Sequence, residues 1–167
     1  LSSSSAASDV YKRQSYTGIP LLYSGDEIGT LNWWEYKEDE TIAHDSRWLH
    51  RAPMDWEKAE KRHDMGTVEG ILFTSIKEMI QVRKDNSIFA SNIPSIPVDT
   101  GNKAVFAFHR EDKMLVLANF SEERQTVNCN AVNWFGLPWE LHDLIQGKSV
   151  PLWENIVLGP YEYLWLA

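Results

Sequence analysis

From residue 104 to residue 166 the sequence breaks into short apolar runs divided by turn residues, and no other feature limits the fold as strongly. The runs are 104–109 (AVFAFH), 114–120 (MLVLANF), 125–129, 139–144, 149–152, 156–158 and 161–166. Turn chemistry at Asp99-Thr100-Gly101-Asn102, Glu111-Asp112-Lys113 and Gln146-Gly147-Lys148 precedes or separates them. Each run is too short for a stable helix. Strand-length runs recurring about every ten residues are the pattern of an antiparallel β-sandwich.

Ahead of this region the period changes. Within 68–84, Val68, Leu72, Ile76, Met79 and Val82 recur near the helical period, which predicts a helix with one apolar face. Asn86, Pro94 and Pro97 stop it and leave a loop at 85–97. Residues 17–23 (TGIPLLY) are a short continuous apolar run, the pattern of a strand buried on both faces. Residues 28–64 have no sustained period and are rich in Trp, His, Asp and Glu, so they read as a long ordered loop with a short helix at 56–62. One strand and one helix do not close a domain, so this front half reads as the end of a larger one.

Residues 1–14 (LSSSSAASDVYKRQ) have neither the basic start nor the apolar core of a signal peptide. DVYKRQ is also what the end of a sequencing-library adapter encodes. Residues 1–14 are therefore expected to be an adapter artefact or a disordered tail.

Asp and Glu number 24 against 16 Lys and Arg, giving a formal net charge of −8 with no basic run. That balance argues against nucleic acid and anionic membrane as partners. No apolar stretch is long enough to span a bilayer as a helix. Cys129 is the single cysteine, which excludes an internal disulfide and a thiolate zinc cluster. The 8 tryptophans fit a carbohydrate-active protein, and equally a large core.

Particular phrases carry a resemblance. GIPLLYSGDEIGTLN (18–32), HDSRWLHR (44–51) and RHDMGTVEG (62–70) resemble the amylosucrase branch of the α-amylase superfamily of glycoside hydrolases. LANFSEERQTV (117–127), HDLIQGK (142–148) and GPYEYLWL (159–166) are similar to that family's C-terminal β-domain. The resemblance covers 17–167 and is most specific in GDEIGTLN followed by DSRW.

It implies a fragment of a (β/α)8 barrel over 15–96, with 18–23 as the last strand, then a long loop, then 68–84 as the last helix. An antiparallel β-sandwich C-terminal domain follows over 97–167. It also implies transfer of glucosyl units from sucrose to an α-1,4-glucan with retention, without a cofactor. The nucleophilic Asp, the acid/base Glu and a His-Asp pair would precede residue 18 in the family's order, so no catalytic carboxylate is expected in this chain. The implied partners are sucrose, α-glucan and the N-terminal barrel of the same protein. A sucrose hydrolase or α-glucosidase is an alternative within the class. A non-catalytic α-glucan-binding sandwich is one outside it, for which Trp134, Trp139 and Trp153 are the residues to inspect. The sequence leaves the compartment open, with the cytoplasm as the expectation.

Candidate site residues follow from chemistry and resemblance together. Retaining hydrolysis needs two carboxyl groups facing each other about 5 Å apart. Adjacent residues on a strand point to opposite faces, so Asp26 and Glu27 read as hydrogen-bonding groups of a loop rim. The planar fork of Arg47 suits a carboxylate and sugar hydroxyls together. The resemblance implies that it pairs with an aspartate from an early barrel strand and closes the glucose pocket. Asp45 and His44 would position the same loop. Trp33 and Trp34, with Tyr36, read either as a stacking platform for acceptor sugars or as loop anchors. His44, His50 and His63 with Asp45 and Asp64 match no compact ligand spacing, so no metal is expected. Cys129 reads as a small buried hydrophobe, and Asn119-Phe120-Ser121 matches the glycosylation pattern.

Overall fold

The computed structural model describes residues 12–133 and 136–167. These form two compact units: residues 22–76 make one, and residues 12–21 with 77–167 make the other.

In the first unit, 3-10 turns at Asp26–Ile28, Trp34–Glu38 and Ser46–His50 punctuate the loop read from the sequence. The helix expected at 56–62 is α1 (Trp56–Glu60) followed by a 3-10 turn at Lys61–His63. Asp55 caps α1 by accepting the Lys58 N–H at 3.0 Å, satisfying a donor that a helix start leaves without a partner. Helix α2 is Val68–Asp85, one residue longer than predicted, and its residues 77–85 belong to the second unit. Thr67 caps it by accepting the Gly70 N–H at 3.1 Å, and at the far end the Asn86 amide donates to the Val82 carbonyl at 2.8 Å. Leu72, Ile76 and Met79 are buried as the helical period required, whereas Val68 is exposed.

The second unit is the sandwich. Its strands are β1 (Ser95–Pro97), β2 (Val105–Arg110), β3 (Met114–Asn119), β4 (Gln125–Val127), β5 (Glu140–His142), β6 (Ser149–Pro151), β7 (Ile156–Leu158) and β8 (Tyr163–Leu166). All pairings are antiparallel, in the order β1-β2-β3-β8, with β4-β7 and β5-β6 as two-stranded ribbons. The β5-β6 ribbon joins the free edge of β8. His142 and Ala167 exchange N–H···O=C bonds at 2.9 and 3.0 Å, and the Leu144 N–H donates to the Trp165 carbonyl at 2.8 Å.

The core lies between this sheet and the β4-β7 ribbon. Val105, Ala107, Leu115, Leu117, Leu164 and Leu166 meet Val127, Ile156 and Leu158 there. The opposite face of β2, β3 and β8 is covered as well. Tyr16 packs edge-on to Phe108 with ring centroids 5.2 Å apart, and Phe89 lies 4.9 Å from Trp165. Cover on both faces is why MLVLAN reads as an unbroken apolar run instead of an alternation.

Three expectations are corrected. No strand forms at 17–23: the segment is irregular, and Ile19 is 89% exposed. An apolar run becomes a buried strand only when flanking strands take its N–H and C=O groups, and no described strand pairs with it. The described residues accordingly form antiparallel sheets and no closed barrel. Next, the loop at 85–97 contains β1, whose prolines concealed it. β1 is an edge strand, where proline is tolerated because the outer side makes no ladder bonds. Finally, Cys129 is half-buried at the start of a 3-10 turn, not fully buried. Of residues 1–14, 1–11 lie outside the described residues. Residues 12–14 share a helical turn with Ser15, and Gln14 is buried.

Candidate functional site

The expected site residues fall in the first unit, where two 3-10 turns meet. The Trp33 N–H donates to the Leu49 carbonyl at 2.8 Å, and the His50 Nδ1 lies 3.0 Å from the Asn32 Oδ1. These contacts tie the start of the Trp34–Glu38 turn to the Ser46–His50 turn, and Tyr36 is buried as the anchor of the former. Trp33 is half-buried. Trp34 is exposed, with the Lys37 ammonium 5.0 Å from its ring centroid. Trp33 is thus bonded through its backbone into the turn that carries Arg47.

Asp45 sits at the N-cap of the Ser46–His50 turn and accepts the Arg47 N–H at 3.0 Å. The same carboxylate takes the guanidinium side-on: Arg47 Nε donates to Oδ1 and Oδ2 at 2.8 and 2.9 Å, and Nη2 donates to Oδ2 at 2.7 Å. Those side-chain bonds, then the Arg47 N–H, hold the Asp45 carboxyl well below its ordinary value, at about 2. The Arg47 side chain is nonetheless 73% exposed, and its Nη1 makes no bond among the described residues. The resemblance implied that this guanidinium pairs with an aspartate from an early barrel strand, a segment outside this chain. Here the partner is Asp45, two residues away, because a capped turn brings residues i and i+2 together. His44 is exposed beside the pair.

Asp26 and Glu27 lie in a 3-10 turn rather than on a strand. Asp26 Oδ2 accepts the Tyr23 N–H at 3.0 Å, and Glu27 Oε2 accepts the Gly25 N–H at 2.9 Å. Both carboxylates therefore serve the loop backbone. His63 stacks edge-on to Phe73 at 5.7 Å, and Asp64 Oδ1 accepts the Gly66 N–H at 2.9 Å. No group of three or more His, Cys, Asp and Glu is gathered as a metal site among the described residues.

In the sandwich unit, Asn119 is buried. Its Nδ2 donates to the Glu123 and Gly159 carbonyls, both at 2.7 Å, so the amide of the glycosylation pattern is already committed. Sequence reasoning missed Asp143, a fully buried carboxylate whose Oδ1 accepts the Ile145 and Trp165 N–H groups at 3.3 and 3.1 Å. Its Oδ2 accepts the Gln146 N–H at 3.1 Å. It organises the turn between β5 and β6, a role the phrase HDLIQGK signals only through its turn residues. Trp139 and Trp153 are exposed by 61% and 54%; Trp134 lies outside the described residues.

The fold assembled in this way recurs in solved structures. AmyP in complex with maltose matches with a TM-score of 0.71 at 19% identity, over 98% of this chain and 34% of that one. A trehalulose synthase, MutB, matches with a TM-score of 0.70 at 17% identity, over 98% of this chain and 38% of that one. The trehalose-6-phosphate hydrolase of Bacillus licheniformis matches with a TM-score of 0.66 at 15% identity, over 98% and 38%. At such identities the likeness establishes a shared fold. The chain spans about a third of the length of the structures it matches, between 31% and 38%. No protein-family model matches it. No helix among the described residues is long and apolar enough to cross a membrane.

Proposed function

We propose that this chain is the C-terminal part of an α-amylase-superfamily enzyme of the amylosucrase type, which moves glucosyl units from sucrose to an α-1,4-glucan with retention. The observation that carries the reading is the join of fold and phrase. A fold shared over 98% of the chain with carbohydrate-active proteins also bears GDEIGTLN and DSRW, with Arg47 of DSRW presented outward on a capped turn. In this reading the two catalytic carboxylates belong to barrel strands preceding residue 18, and the N-terminal barrel is a covalent partner. Arg47 approaches the glucose pocket, Asp45 and His44 shape its turn, and Trp33 and Trp34 face acceptor sugars.

The test begins with the coding DNA upstream of Ser15, followed by expression of the whole enzyme. Sucrose with a maltooligosaccharide primer should give fructose and a lengthened glucan. Arg47→Ala in that enzyme should lower kcat/KM at least about tenfold, a loss of about 1.4 kcal/mol of transition-state stabilisation. Fructose released with free glucose and no glucan would point to the sucrose hydrolase alternative. No turnover of sucrose, with cleavage of other α-glucosides, would point to an α-glucosidase.

A second reading has its own observation. Trp139 precedes β5 and Trp153 follows β6. They lie at the same end of that ribbon, because the Leu152 N–H donates to the Trp139 carbonyl at 2.7 Å. Two exposed indoles so placed suit the apolar faces of an α-glucan. Retarded migration of the chain in a glycogen-containing gel, lost in Trp139→Ala, would support a glucan-binding sandwich.

A further inference from the structure

Residues 14–18 are fastened to the outer face of the sandwich sheet by two arginines. Arg110, at the end of β2 and fully buried, donates from Nη1 to the Ser15 carbonyl at 2.9 Å. Its Nη2 donates to the Ala90 and Ile93 carbonyls at 2.7 and 3.1 Å. Arg83, near the end of α2, donates from Nη1 to the Gln14 carbonyl at 2.7 Å and from Nη2 to the Gly18 carbonyl at 2.8 Å. The two guanidinium carbons lie 5.7 and 5.8 Å from the centroid of the same Phe89 ring. Thr17 adds a third fastening: its N–H donates to the Ser95 Oγ at 2.9 Å, and its Oγ1 to the Ile93 carbonyl at 2.9 Å.

Charges taken out of water are ordinarily met by an opposite charge. Neither arginine forms an ion pair with a carboxylate among the described residues. Burial holds both below their ordinary pKa, and for Arg110 the nearby Arg83 adds to the effect. What meets the charges instead is a set of backbone carbonyls from residues 14, 15, 18, 90 and 93. Arg110 spends both terminal nitrogens on them and leaves its Nε without a partner. Its orientation thus follows the carbonyls it holds, not the fullest use of its own donors.

We propose that Arg83 and Arg110 are positioning residues forming a two-pronged clamp, which fixes residues 14–18 against β1 and β2 and so sets where the chain leaves the sheet. Ile19 and Leu21, 89% and 71% exposed, are presented from that fixed base. The inference stands on the sandwich unit alone and is independent of the sugar chemistry proposed above. A fork is required: each arginine reaches carbonyls from both terminal nitrogens, and a lysine ammonium on a flexible stem cannot span them in one geometry.

Hydrogen exchange on the full chain tests this. In Arg83→Lys and Arg110→Lys, amides of residues 12–18 should exchange at least about tenfold faster, while those of β3 and β7 keep their protection. Parent-like exchange at 12–18 would overturn the clamp, and so would an equal rise in β3 and β7, which marks general destabilisation. Arg83 is only half-buried, so Arg83→Lys decides the matter if Arg110→Lys does not fold.

Discussion

The Asp45–Arg47 pair shows how little a local motif costs and how much it organises. Because the Asp45 pKa is depressed to about 2, the carboxylate is charged, and the pair present, at and above the ordinary carboxylate range; it is lost as pH falls through about 2. Carboxyl NMR should place the Asp45 midpoint near about 2 and return it toward the ordinary value in Arg47→Gln. An unchanged midpoint would remove the pair as the cause. The guanidinium is mostly in water, so the pair shapes the turn more than it stabilises the molecule. Asn119 is the opposite case. Its Oδ1 accepts the Ser121 N–H at 2.9 Å while its Nδ2 serves two carbonyls, and Asn119 itself is buried. Asn119→Ala should cost about 1–3 kcal/mol in urea unfolding, the range for leaving buried groups unpaired.

At the scale of elements, α2 was legible because its period and its caps agree. Met79 is fully buried and Ile71 half-exposed on the same helix. Met79→Ala should therefore cost about 2–5 kcal/mol, against less than about 0.5 kcal/mol for Ile71→Ala, measured by thermal or denaturant unfolding. Gly70 is a constraint the period does not show: a Cβ there would stand 2.0 Å from the Asp64 carbonyl oxygen. Gly70→Ala must push the 64–67 turn away, and should lower the melting temperature despite alanine's better helix propensity. β1 was hidden because Pro94 and Pro97 are loop signals everywhere except at a sheet edge. The run at 17–23 was over-read for the converse reason: apolarity marks what would be buried, but pairing depends on a neighbour.

For the whole molecule, strands β2 to β8 lie within 97–167, but their outer face is covered from elsewhere. Phe108, Val116 and Trp165 are buried there, under cover that includes Tyr16 and Phe89. A chain cut to residues 97–167 loses that cover and should bind a hydrophobic dye more strongly than the full chain, since a large apolar patch becomes exposed. Equal dye fluorescence at equal concentration would show that the inner core suffices to order the face.

The sequence by itself determined the elements that depend on local chemistry: a helix where apolar residues recur at its period, short strands where turn residues cut apolar runs, and a carboxylate and guanidinium two residues apart in DSRW. Tertiary structure alone decided which backbone groups found partners. It left residues 17–23 without a strand and drew Ser95–Pro97 into the sheet. It also brought Arg83 and Arg110, 27 positions apart, to the same Phe89 ring. Hydrogen bonds and burial between distant residues carry no period and no motif, so they emerge only once the chain has closed on itself.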